Sequence, residues 1–174
     1  MENGTQTRPL RPLWLVVPPA VLCMLDLWMT LYGQPPSYWS GNFRDANEIS
    51  PSFASYLAIH PLVFVGAGFL WIIIFSAIIV LLPEMLALTV SIAIVIGHMG
   101  GAATWFAYRF HNYQACNALF LVTAFVVVLS FKRGQNDDGA AAFDWRRTGL
   151  PSWMRWVTVA ALMTIPSWWF LIRH

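Results

Sequence analysis

The chain has 174 residues, of which 58% are hydrophobic and only 10% charged, and its mean hydropathy is +0.59. A soluble domain of that length cannot bury so much apolar surface. A net charge of +2, with no Lys/Arg stripe, Gly-rich phosphate loop or paired CxxC, argues against a nucleic-acid partner and the common phosphate and zinc motifs.

Lipid takes the place of a core in such a chain, and each crossing of about 30 Å of hydrocarbon needs roughly 20 residues of helix. The first apolar run, Leu13 to about Tyr32, follows a short tail with Arg8 and Arg11. It is long for the core of a secretory signal, carries Pro18-Pro19 and Asp26, and ends in Tyr32-Gly33-Gln34-Pro35 where a small-x-small cleavage site would be needed. The run is therefore expected to stay as a first span.

Residues 33–60 turn polar and punctuated and read as the longer outer loop, with Pro35-Pro36, Gly41-Asn42, Arg44-Asp45 and Asn47-Glu48 in close succession. Within it Ser50-Pro51 reads as an N-cap followed by proline at the first helical position. Phe53, Tyr56 and Leu57 then repeat at helical spacing, which predicts a short interfacial helix up to His60. Pro61 opens a second span, Leu62 to Leu82, and after Pro83-Glu84 a third runs from Met85 to about Ala107, so these two form an antiparallel hairpin. Tyr108 to His111 makes a tight turn into a fourth span, from about Asn112 to Phe131. A solvated loop, 132–152, follows, and then a fifth span, 153–172, with Arg155 near its start and Pro166 expected to bend it.

The fold class expected is thus a single all-α membrane domain, a polytopic transmembrane bundle of about five spanning helices. On alternate sides of five spans, Arg8, Arg11, Lys132, Arg133, Arg146, Arg147 and Arg155 fall together, opposite Arg44, Arg109 and Arg173. The positive-inside rule then puts the N-terminus inside and the C-terminus outside. Trp28, Tyr32, Trp105, Tyr108, Tyr113, Trp168 and Trp169 form an outer aromatic belt, and Trp14, Trp153 and Trp156 an inner one. With no eukaryotic targeting signal in view, the expected location is the plasma membrane of a prokaryote.

Asp26 is the most informative residue, because a carboxylate within a span costs about 3 kcal/mol on insertion scales unless something offsets it. The first and third spans run in the same direction, and His98 lies about as far along the third as Asp26 along the first. The two are expected at one depth in the outer half of the bilayer. His98 sits in Gly97-His98-Met99-Gly100-Gly101, whose Gly97-x-x-x-Gly101 spacing lets another backbone or a flat ligand come close. Glu48, His60, Arg109, His111, Asn112 and Asn117 map to the same outer end, with Thr30 just below them. His98, Asp26, His60, His111 and Glu48 are therefore candidate metal ligands, since imidazole with carboxylate suits Zn, Fe or Cu, although no HExxH, ExxH or HxxxH motif is present. Hydration at the interface is the ordinary alternative for His60 and His111. Cys23 and Cys116, inside apolar runs, read as free buried thiols.

Asp26-x-x-x-Thr30 in the first span and Asn47-Glu48-Ile49-Ser50-Pro51 in the loop together resemble an uncharacterised family of small multi-pass bacterial and archaeal membrane proteins, a domain of unknown function. That family carries an Asp-x-x-x-Thr helix, a Glu-x-Asn-Pro loop and further apolar helices, and here Ser50 stands in the asparagine's place. The likeness covers about the first two helices. It implies Asp26, Thr30, Glu48 and Pro51 as matched positions and no activity.

Three functions remain in view. With thin soluble parts and no recognisable nucleophile, base or cofactor motif, the leading expectation is a non-enzymatic membrane protein, free-standing, homo-oligomeric or an accessory subunit of a larger membrane complex. The second is a metal- or haem-binding redox component with His98 as principal ligand and Asp26 beside it. The third is proton or ion movement through Asp26 and His98.

Overall fold

The computed structural model describes residues 12–136, 151, 153–154, 156–158 and 160–161. The tail with Arg8 and Arg11, residues 137–150 of the expected solvated loop and most of the expected fifth span, Arg155 and Pro166 included, lie outside them. The described residues are helical without a strand, and four of their helices are long and apolar enough to cross a membrane. These are α1 (Pro12–Tyr32), α4 (Pro61–Leu81), α5 (Glu84–Thr104, continued by a π-helical turn over Trp105–Arg109) and α6 (Tyr113–Asn136). Between α1 and α4 lie the short helix α2 (Pro36–Trp39), a 3₁₀ turn at Phe43–Asp45, and α3 (Pro51–Ile59).

Proline and polar caps set most of these boundaries. Pro61 opens α4, and His60 before it accepts the Leu62 N–H on Nδ1 at 3.1 Å, meeting a donor that the helix start leaves free. Leu82-Pro83 ends α4 and turns the chain at once into α5, whose Glu84 places negative charge in the first turn, where the helix dipole favours it. Ser50 occupies the N-cap position of α3 as expected, yet its side chain makes no cap bond. Its backbone N–H instead donates to Glu48 Oε1 at 2.7 Å. At the far end of α5 the chain widens into the π turn, and His111, with φ of +50°, reverses it into α6. Asn112 then caps α6 by accepting the Ala115 N–H at 3.0 Å.

α1 is the central helix, packed on α4, α5 and α6. Its Pro18-Pro19 pair lies within the helix and is buried. Pro19 has no N–H, which leaves the Leu15 carbonyl without its donor four residues on. The Ser91 hydroxyl of α5 fills that place at 2.6 Å, and Ser91 is only 1% exposed. A helix broken by proline at membrane depth is commonly repaired by a Ser or Thr side chain in this way. The main apolar cluster joins Leu15, Cys23 and Leu27 of α1 to Phe64, Phe75 and Ile78 of α4. Tyr38 and Leu57 seal its loop end, the Tyr38 hydroxyl donating to the Leu57 carbonyl at 3.2 Å. Along α6, Leu121, Val122, Phe125, Val128 and Leu129 stay exposed, a face with the composition of a lipid-facing surface.

The expected segments and the helices differ in two places. The third apolar run reaches about Ala107, and the helical path continues to Arg109 by changing its pitch. The fourth apolar run ends at Phe131, yet α6 carries Lys132 and Arg133 on its last turns and stops at Asn136. Lys, Arg and Gln are good helix formers, so the end of the apolar run is not the end of the helix.

Candidate functional site

α1 and α5 lie side by side and run in the same direction, as four side-chain hydrogen bonds between them require. From one end to the other these are Ser91 to the Leu15 carbonyl at 2.6 Å, His98 to Asp26 at 2.9 Å, Trp105 Nε1 to Thr30 Oγ1 at 3.1 Å, and Arg109 Nε to the Gly33 carbonyl at 3.2 Å. The partners are separated by 76, 72, 75 and 76 residues, so the register is nearly constant along the seam.

Asp26 and His98 are each the fifteenth residue of their helix, counting from Pro12 and from Glu84. Equal depth alone does not make them meet, and the glycine one turn past His98 does the rest. A Cβ at Gly101 would stand 2.7 Å from both carboxylate oxygens of Asp26, so the carboxylate occupies the space that a side chain there would fill. Small residues allow this close approach of helices. Of the glycines around His98, Gly97 and Gly100 face open space and only Gly101 takes the contact. With the carboxylate ionised, His98 Nδ1 is the donor to Asp26 Oδ2. One turn on, Gly33 serves Trp105 similarly, the indole ring filling the position of a Cβ at Gly33.

The pair opens on a pocket of about 530 Å³ between α1, α4 and α5, roofed by residues 48–53. Asp26, Thr30, His98, Thr104, Trp105 and Glu48 give its polar wall, and Leu27, Phe53, Phe64, Trp71 and Ile94 its apolar one. His98 and Asp26 keep 16% and 21% of their side-chain surface exposed, so the pair is reachable from the pocket. That volume lies within the usual range for small-molecule sites. A second hollow of about 350 Å³ adjoins the first through Glu48, Ile49, Thr104 and Trp105 and carries Tyr108 and Arg109.

Glu48 is held in the roof by a loop clamp that the sequence did not announce. Gln34, just past α1, donates to the Asn47 carbonyl at 3.0 Å and accepts the Asn47 N–H at 2.7 Å, while also donating to the Thr30 carbonyl at 2.8 Å. A single amide side chain thus ties the loop to the end of α1 immediately before Glu48. Burial pushes the Glu48 carboxyl above its ordinary value, the Ser50 N–H works against this, the Asp26 charge adds to the rise, and the Ile49 N–H opposes it.

Of the five candidate metal ligands, Asp26, His98 and Glu48 line the same pocket, and His60 and His111 do not. His60 caps α4 and sets its ring edge-on to Phe43 at 5.1 Å between centroids. His111 is exposed in the turn before α6. Among the described residues, no three His, Cys, Asp or Glu side chains are grouped so as to hold a metal ion. Of the four family-like positions, Asp26, Thr30 and Glu48 line the pocket, while Pro51 begins α3. Asn117 is exposed on α6, and both cysteines are buried and free, Cys116 donating from Sγ to the Ala103 carbonyl at 3.4 Å. No protein-family model matches the chain, and neither the curated proteins nor the solved structures contain a match to it.

Proposed function

We propose that this chain is a multi-pass integral membrane protein, with its N-terminus inside, that moves protons through the Asp26–His98 pair. The observation that carries the reading is a carboxylate–imidazole hydrogen bond of 2.9 Å, set between two apolar helices and open to a pocket. An ionisable group at membrane depth is costly, and such groups mark proton and ion paths. Imidazole is the side chain whose charge ordinarily changes near neutral pH, and a carboxylate beside it can accept, hold and return a proton.

Position supports a one-sided entrance. Asp26 lies about 21 Å along α1 at 1.5 Å per residue, nearer the end that carries Trp28 and Tyr32, whose rings stack at 5.6 Å between centroids. In the orientation favoured by the cation distribution, that end is the outer one. Glu48, in the roof, puts a second acid on the pocket wall. The sequence favours a non-enzymatic protein, free-standing or an accessory subunit of a membrane complex; the pocket beside the pair supports proton movement.

The test uses the purified full-length chain in proteoliposomes with an internal pH-sensitive dye and an imposed pH gradient. Wild type is expected to dissipate the gradient at least about tenfold faster than Asp26→Asn, which keeps the size and a hydrogen bond but not the charge. Equal rates in the two proteins would end the reading.

A further inference from the structure

The wall of the larger pocket has a sign. Two carboxylates, Asp26 and Glu48, line it, and no lysine or arginine among the described lining residues offsets them. Four aromatic side chains, Phe53, Phe64, Trp71 and Trp105, share the same wall. Among the described residues, Asp26 receives a hydrogen bond only on Oδ2, which leaves Oδ1 with acceptor capacity. Carboxylates supply charge to a cation, and aromatic faces supply a surface that attracts cations and covers apolar groups.

We propose that this pocket binds a hydrophobic organic cation, its charge between the Asp26 and Glu48 carboxylates and its apolar body against Phe53, Phe64, Trp71 and Trp105. The inference rests on the proton reading above and deepens it by naming what shares the site with the proton. A protonated pair is a poorer partner for a cation, and a bound cation is a poorer neighbour for an added proton. By linkage the two ligands weaken each other equally, which is the thermodynamic condition for exchange of one against the other. Mutual repulsion of Asp26 and Glu48 points the same way, because a positive charge between them removes it. The apolar wall suits a hydrophobic body, whereas an inorganic cation would make no use of it and would need a ligand group that the described residues do not form.

Two ions of the same shape and opposite charge make the test. Detergent-solubilised full-length protein is titrated with tetraphenylphosphonium and, separately, with tetraphenylborate, saturable binding being read against protein-free micelles. Wild type is expected to bind the phosphonium saturably and at least about tenfold more tightly than the borate. Glu48→Gln is expected to weaken phosphonium binding about tenfold, the equivalent of about 1.4 kcal/mol. Equal affinity for the two ions, or no saturable phosphonium binding, overturns the proposal; the comparison uses the unaltered protein, so no misfolded variant can hide the answer. Wild-type affinity retained in Glu48→Gln would overturn the placing of the charge. A co-purifying aminolipid that tetraphenylphosphonium displaces would identify the cation's source as the membrane, and binding unaltered by delipidation would identify a free amphiphile; both outcomes support the site. Saturable cation binding by a protein that dissipates the pH gradient no faster than Asp26→Asn leaves the cation site standing and removes the proton reading. Proton flux without cation binding does the reverse.

Discussion

Two neighbouring residues of α1, Asp26 and Leu27, are each seated on a glycine of a different helix, and the two seats show how one helix builds two unlike surfaces. Leu27 lies over Gly68 of α4, where an added Cβ would come within 2.6 Å of its Cδ2, in a seam of Leu, Phe and Ile. Asp26 lies over Gly101 of α5, in a seam whose side chains hydrogen-bond across it four times. The first seam holds the bundle by shape. The second fixes direction and register, since a shift of one residue would break several bonds together, and it opens on the pocket. Packing and chemistry thereby take adjacent faces of one helix, and Leu27 belongs to both, since it also lines the pocket.

The comparison breaks most visibly on the apolar side. Leu27→Ala leaves a cavity over Gly68, and large-to-small changes at buried positions cost about 2–5 kcal/mol. Thermal or denaturant unfolding in detergent is expected to show a loss in that range. A seam held mainly by polar bonds would instead lose almost nothing. On the polar side the single bonds are smaller: Ser91→Ala removes the donor to the Leu15 carbonyl, and interhelical hydrogen bonds in membranes average about 0.6 kcal/mol with measured values up to about 1.7. Because the carbonyl freed by Pro19 would then lack a partner, the expected cost sits at the upper end of that range. A Ser91→Ala protein as stable as wild type would show that the proline pair is satisfied otherwise.

How much of this was legible in the sequence differs by kind of feature. The four long apolar helices could be read because an apolar run of about 20 residues has few other uses. The shared depth of Asp26 and His98 could be counted, since each helix starts beside a proline and rises by a fixed step. Their meeting could not, because it depends on helix rotation and on Gly101 rather than Gly97 taking the contact. Ser50-Pro51 gave the start of α3 by its pattern, but not that Glu48, and not the Ser50 hydroxyl, would satisfy the backbone there. The Gln34 clamp left no signal at all: a lone glutamine in a polar loop looks the same whether it faces water or closes a pair of bonds 13 residues away. Nor does Trp105-Phe106-Ala107-Tyr108-Arg109 differ in periodicity from α-helix, although its wider turn accompanies Trp105 and Arg109 reaching back to α1.

The central claim is that Asp26 and His98 share a hydrogen bond in the notch beside Gly101. Nitrogen-15 NMR of labelled imidazole in the full-length protein tests it most directly, with Asp26→Asn and Gly101→Ala as comparators. The account predicts a wild-type His98 signal marking Nδ1 as the nitrogen bonded to a carboxylate, and loss of that signature in both variants. An identical His98 signal in all three proteins would contradict it.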